Sequence, residues 1–374
     1  MNSRIFLSSP HMSSEGYELE YIHDAFQKNW IAPLGENVTA FEDAIADYLG
    51  GTCPVALASG TAALHLSMIL SGVQPGDLVF CQSLTFAASA NPIVYLGATP
   101  VFIDSERETW NMDPAALERA IAIYGVPRAL VVVHLYGTPA RMREITEICD
   151  RYGITLIEDA AESLGSVYEG RRCGSLGKYG VISFNGNKII TSSGGGMLLC
   201  PDKERAAMAL KLATQAREPF PWYQHEMIGY NYRLSNISAG IGRGQMKVLP
   251  QRISKKQQIF QRYRENLKDL PFHFQQEPEG GIANRWLTAA VLEEGCGFQP
   301  AQIIKALSDA NVESRHVWKP MHSQPVFADK PYVTAGDVSV CDDLFLRGVC
   351  LPGDTKMTDA DIDRICSVIR KVME

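Results

Sequence analysis

Ile154-Thr155-Leu156-Ile157-Glu158-Asp159 is an apolar run that closes on an acid, and its lack of polar alternation decides the fold. A strand buried on both faces reads this way, as in a parallel sheet covered by helices. The pattern recurs upstream. Val55-Ala56-Leu57-Ala58 precedes a helical pattern over 61–70, and Leu78-Val79-Phe80-Cys81 precedes one over 86–95. Runs at 100–103 and 129–133 precede helical patterns at 114–123 and 141–152. Strands alternating with helices from residue 54 to about 200 predict an α/β domain with a mostly parallel central sheet. In such sheets ligands bind at the carboxyl ends of strands, so residues there are weighed first.

Two amphipathic helices, 17–27 and 38–48, precede this block, and helices 203–215 and 235–248 follow it. Pro250 fits the first turn of a long polar helix over 251–267, where proline is tolerated. The predicted division falls there. Residues 1–250 form a large domain, with N-terminal helices free to pack on the small one. Residues 251–374 form a smaller α+β domain with a strand over 286–292, a helix over 299–311 and a last helix over 359–372 capped by Thr358.

With 46% hydrophobic and 21% charged residues and a net charge of −7, the 374-residue chain has the composition of an ordinary soluble protein. Nothing in that balance favours nucleic acid or an anionic membrane. No apolar stretch reaches the about 20 residues of a membrane span, and the run after Met1 is too short for a signal peptide. The nine cysteines are scattered, without Cys-x-x-Cys or zinc spacing. They read as free thiols in a reducing cytoplasm, and no metal site is expected.

Asp159 at one strand end is matched by Lys188 in Ser183-Phe184-Asn185-Gly186-Asn187-Lys188, taken as a second strand end. An acid and a lysine so placed are what pyridoxal 5′-phosphate chemistry needs. The lysine amine links covalently to the cofactor aldehyde, and the carboxylate keeps the pyridine nitrogen protonated, so that the ring accepts electrons. Ser59-Gly60-Thr61-Ala62-Ala63 follows a strand and opens a helix, whose amides, with the Thr61 hydroxyl, can hold a phosphate. The same turn is also a good helix cap whatever it binds. Phe86 can stack on the pyridine ring or sit in the core, and Ser183 can donate to phosphate or to water. Glu162 would point toward the ring's 3′ oxygen, an awkward pairing of two anions unless the carboxyl keeps its proton; it also reads as an exposed carboxylate at a helix start. His134 reads equally as a cleft residue or a buried, satisfied histidine. Gly229–Asn236 reads as a polar, aromatic turn before a helix.

Together these stretches resemble the DegT/DnrJ/EryC1/StrS family of pyridoxal phosphate-dependent sugar aminotransferases, nearly end to end. The matching stretches include Phe41-Glu42, Ser59–Leu64, Thr85-Phe86, Pro100–Asp104, Glu158–Glu162, Ser183–Lys188, Gly194–Met197, Tyr230–Ser235 and Trp318-Lys319-Pro320-Met321-His322. The resemblance implies a fold-type I aminotransferase, with Lys188 and Asp159 catalytic. Gly60, Thr61 and Ser183 would take the phosphate, Phe86 would stack, and Asn231 would reach the phosphate from a neighbouring subunit, making a homodimer with shared sites. Asn29, Trp30, Ile31, Ala32, Arg233, Arg315 and His322 match regions lining the sugar-nucleotide pocket. Family members often carry glutamine where this chain has Glu162.

Asn29–Gly35, His134–Gly137, Gln215–Glu218 and Asn284-Arg285-Trp286-Leu287 resemble the subgroup of bacillosamine synthesis. That subgroup aminates C4 of a UDP-linked 2-acetamido-4-keto-6-deoxy-hexose with L-glutamate as donor. C3 amination, or a GDP- or dTDP-linked sugar, stands as the alternative. A dehydrating branch of the family has histidine in place of the lysine, which Lys188 speaks against. A non-catalytic cofactor-binding regulator would carry a basic DNA-binding segment, and no part of this chain is one.

Overall fold

The computed structural model describes residues 3–374. Eight strands form the main sheet, in the order Cys53–Leu57, Gly196–Cys200, Tyr179–Ser183, Thr155–Asp159, Ala129–Val133, Leu78–Gln82, Thr99–Ile103 and Tyr332–Val333. Only Gly196–Cys200 runs against its neighbours. The strands at 129–133 and 196–200 are buried throughout, as their unbroken apolar sequence requires. Helices cover both faces. Gly60–Leu70 and Lys203–Ala213 pack over one layer of side chains that includes Val79, Val131, Ile157 and Leu198. Pro114–Tyr124 and Met142–Tyr152 pack over the other, with Phe80, Val101, Leu130 and Val132.

The helix expected over 86–95 is two pieces, a 3₁₀ turn at Ala87–Ser89 and a helix at Asn91–Tyr95. Pro92 lacks the N–H that would continue a helix through it and sits in the first turn of the second piece. The N-terminal helices Tyr17–Gln27 and Glu36–Leu49 pack on helix Asn236–Met246, beside the main sheet.

A second, antiparallel sheet has the order Phe272–Phe274, Thr288–Leu292, Gly348–Leu351 and Arg315–His316. Helices Leu249–Asn266, Pro300–Asp309 and Asp359–Met373 close its core. Thr358 caps the last of these by accepting the Asp361 amide. Two segments cross between the parts. Tyr332–Val333 returns to pair with Phe102 and Ile103 at the edge of the main sheet, and Ile5 bridges to Val312 in the second core. A small three-stranded sheet is formed by residues 167–168, 171–172 and 281–282.

Candidate active site

The parallel strands present their carboxyl ends to a cavity of about 310 Å³, the size of a small-ligand site. Gly60, Thr61, Phe86, Asp159, Glu162, Ser183 and Lys188 all line it. Thr155–Asp159 and Tyr179–Ser183 are neighbours in register, which brings Asp159 and Ser183 to the same rim. Lys188 is not at a strand end. It lies five residues beyond Ser183, in the loop to Gly196, with its amide bonded back to the Asn185 carbonyl at 3.0 Å.

Helix Gly60–Leu70 begins at the cavity wall. Ser59 Oγ accepts the Ala62 amide, so the cap is spent on Ala62, while the Gly60 and Thr61 amides have no carbonyl within the helix to bond. Backbone packs tightly there: a Cβ on Gly60 would come 3.2 Å from Ser183 Cβ, and one on Gly196 would come 2.4 Å from the Gly60 nitrogen. The cradle therefore has a helix N-terminus on one side and the Ser183 hydroxyl on the other.

Asp159 is 5% exposed and held in place. Its Oδ2 accepts from Ser89 Oγ at 2.6 Å, Ser89 in turn bonds Thr85 Oγ1 at 2.7 Å, and Oδ1 accepts the Ala161 amide at 3.2 Å. Glu162 is equally buried. Its Oε2 accepts the Tyr136 amide at 2.6 Å, and its Oε1 lies 3.7 Å from Lys188 Nζ. Burial pushes the Glu162 carboxyl above its ordinary range, against the opposing pull of Lys188 and of the Tyr136 amide. The exposed-carboxylate reading of Glu162 is thereby replaced: its side chain turns inward because Tyr136 and Lys188 receive it there.

Two tryptophans complete the wall, and neither was singled out in the sequence as a site residue. Lys188 Nζ sits over the Trp286 ring, 4.2 Å from its centroid, while Trp286 Nε1 donates to the Asn187 carbonyl at 2.7 Å. Asn284 Nδ2 staples this loop to the Glu162 and Leu164 carbonyls, both at 3.0 Å. Lys256, fully enclosed, donates to the carbonyls of Trp286 (2.9 Å) and Gly353 (2.8 Å), and burial lowers its pKa to about 7. Trp318 enters from the second sheet's side. Its ring is 5.8 Å from that of Phe86, and its Nε1 is buried beside Glu162. Phe86 is not a core residue. It is 58% exposed, so it has a broad surface left to cover a ligand.

The other expected site residues lie away from this cavity. Arg233 belongs to the scaffold: its guanidinium bonds both Glu42 oxygens and the Ala56 carbonyl. A nearly buried guanidinium needs such a partner, and Glu42 also takes the Ala56 amide, fixing the edge strand. His322 is stacked on Tyr332 at 3.6 Å between centroids and bonded to Ser83 Oγ (2.7 Å) and Asp342 (3.2 Å). It thus joins the two parts of the chain. Arg315 is exposed and pairs with Glu313. Asn29, Trp30, Ile31 and Ala32 form a surface loop anchored by Asn236, which bonds the carbonyls of Trp30 and Ala32. Asn231 is exposed beside the Thr214 bridge. His134 is fully buried: its Nδ1 accepts the Ala140 amide at 3.1 Å and its Nε2 faces Glu158 at 2.9 Å. The satisfied-histidine reading is the one observed.

The donor set fits pyridoxal phosphate. An anion cradle, a fixed carboxylate and a lysine amine open on one enclosed space under a half-free aromatic ring. No group of three or more His, Cys, Asp or Glu side chains suited to a metal ion occurs among the described residues. All nine cysteines are free, and no helix among the described residues is long and apolar enough to cross a membrane.

Comparison with known proteins agrees with this geometry. Residues 13–370 match the DegT/DnrJ/EryC1/StrS aminotransferase family. EpsN of Bacillus subtilis (strain 168), assigned as a pyridoxal phosphate-dependent aminotransferase, is 50% identical over 99% of this chain and 96% of its own. The GDP-perosamine synthase of Caulobacter vibrioides is 36% identical over 99% and 98%. The crystal structure of DesI with its TDP-sugar product superposes with a TM-score of 0.91 at 26% identity, covering 100% of this chain and 94% of that one. The chain belongs to the DegT/DnrJ/EryC1/StrS family, and it is a pyridoxal phosphate-dependent sugar aminotransferase of fold-type I.

Proposed function

We propose that the protein transfers the amino group of L-glutamate to C4 of a UDP-linked 2-acetamido-4-keto-6-deoxy-hexose, giving a 4-amino sugar of the bacillosamine type. The observation behind the transfer is the convergence of Lys188 and Asp159 on one cavity beside a helix N-terminus. For the sugar, support comes from Asn29–Gly35, Gln215–Glu218 and Asn284–Leu287, which resemble the C4-aminating subgroup.

Pyridoxal phosphate supplies the carbonyl that takes up and hands on the amino group, and the ring that draws electrons from the reacting carbon. Gly60, Thr61 and Ser183 hold its phosphate, and Phe86 covers its ring. Asp159, fixed by Ser89 and the Ala161 amide, keeps a carboxylate at the floor. Lys188 carries the protons: it removes the α proton of glutamate and delivers a proton to C4 of the sugar. Asn29–Ala32, Arg315 and His322 stand in the regions we assign to the nucleotide sugar. Arg233 serves there only indirectly, through the strand that it fixes. The working unit is a cytoplasmic homodimer in which Asn231 reaches the phosphate of the partner's site. A fully active monomer in sedimentation would refute that last point.

A GDP-linked sugar is the second reading, favoured by the identity to a GDP-perosamine synthase. One experiment separates the two. Protein loaded with cofactor is treated with glutamate, freed of small molecules and mixed with the UDP- or the GDP-linked 4-keto sugar. Rapid return of the visible absorbance, with one amino sugar per site, identifies the substrate. No return with the UDP sugar removes the first reading.

A further inference from the structure

We propose that Glu162 is a proton acceptor for Lys188, taking the ammonium proton so that the amine can attack the cofactor aldehyde and returning it to the departing hydroxyl. The proposal rests on the cavity being the pyridoxal phosphate site and is independent of which sugar is used.

Among the described residues, the geometry gives the Lys188 amine one carboxylate partner. Its Nζ is 3.7 Å from Glu162 Oε1, inside the same cavity and over the Trp286 ring. The other carboxylate in the cavity, Asp159, is already bonded through both oxygens, to Ser89 and to Ala161. Glu162 accepts the Tyr136 amide at Oε2, and its Oε1 is the oxygen that faces the lysine. The groups around Glu162 are Lys188, Asp159, the Tyr136 and Trp318 side chains and the Cys350 thiol. Among these Lys188 is the cation with a proton to give. Burial, which disfavours the Glu162 anion, eases the transfer. An uncharged amine beside an uncharged acid costs less to enclose than an ion pair.

The step balances. The Lys188 ammonium gives one proton to Glu162 and becomes the nucleophile. Its lone pair forms the bond to the aldehyde carbon while a second proton passes from nitrogen to the former carbonyl oxygen. Glu162 then protonates that hydroxyl, which leaves as water. The nitrogen keeps its last proton in the new C=N link, and Glu162 is again a carboxylate.

The test is the pH dependence of cofactor uptake. Protein stripped of cofactor is mixed with pyridoxal phosphate from about pH 6 to about pH 8, between the ordinary carboxylate and lysine values. The rise of visible absorbance is followed, and rates are corrected for the cofactor's own titration. In the native protein the reactive pair differs from the resting pair only by an internal proton transfer, so the corrected rate is flat. In E162Q the proton must go to solvent, and the rate climbs about tenfold per pH unit. A constant ratio between the two across the range overturns the proposal, because a merely structural role shifts the rate without changing its slope. A native rate that itself climbs tenfold per unit overturns it too, whether or not E162Q folds. Native protein that acquires the absorbance establishes the cofactor site on its own, whichever way the ratio runs.

Discussion

Ser89 donates its hydroxyl proton to Asp159 Oδ2 at 2.6 Å from the 3₁₀ turn that Pro92 cuts short. The Asp159 carboxylate is thereby fixed from the turn that follows another strand, Leu78–Gln82. A hydrogen bond to a charged group is worth about 1.5–3 kcal/mol. Ser89→Ala is therefore expected to slow the glutamate half-reaction about tenfold or more and to lower the melting temperature measurably, because the buried carboxylate loses its donor. Stopped-flow absorbance measures it, and an unchanged rate would remove Ser89 from the positioning of Asp159.

Lys188→Ala is expected to abolish turnover while the protein stays folded. General acid–base catalysis alone is worth about 10²–10⁴ in rate, and the covalent link is lost as well. Circular dichroism checks the fold and amino-sugar formation checks the rate. Near-normal turnover would dismiss Lys188 as the proton carrier.

The approach of Gly196 to the helix start has no slack. An alanine Cβ there would lie 2.4 Å from the Gly60 nitrogen and from the Ser59 carbonyl carbon, backbone against backbone. Gly196→Ala is expected to cost about 1–3 kcal/mol of stability and to weaken cofactor phosphate binding together with it. Thermal melting and a cofactor titration test this, and full affinity at an unchanged melting point would contradict it.

Lys256 gives the stability of the fold a pH dependence of known sign. Its folded pKa, lowered to about 7 by burial, lies below the unfolded value of about 10.4. Between these values the unfolded chain binds more protons, so this group's contribution to stability rises with pH, by up to about 1.4 kcal/mol per unit. Lys256→Met leaves the Trp286 and Gly353 carbonyls without their donor. The stability gap between native protein and this variant is therefore expected to widen from pH 7 toward pH 10 in urea unfolding. A gap independent of pH would place the titration elsewhere.

Much of the site was legible because it depends on strand ends. Asp159 and Ser183 close apolar runs, and Gly60 and Thr61 open a helix just after another, so local pattern alone puts them on one rim. What stayed hidden depends on partners far along the chain. Ser89 looks like any small residue until it meets Asp159 across the sheet. Trp286 and Trp318 reach the cavity only because the second sheet packs on the first. Arg233 sits in a motif that resembles ligand-binding stretches, yet its charge is spent on Glu42, on a helix near the start of the chain. The helix over 86–95 divided because one proline outweighed an apolar periodicity that spanned it.

The short strand Tyr332–Val333 has a bearing on how the chain can be cut. It supplies the edge pairing of Thr99–Ile103, where the Phe102 amide bonds the Pro331 carbonyl and the Asp104 amide bonds that of Val333. A fragment ending after the long helix at Asn266 would leave that border unpaired, a template for another molecule's strand. The first two-thirds of the polypeptide is thus no free-standing module. During synthesis its sheet gains its last strand only when Tyr332–Val333 has emerged, and until then the Thr99–Ile103 edge is open to wrong pairing.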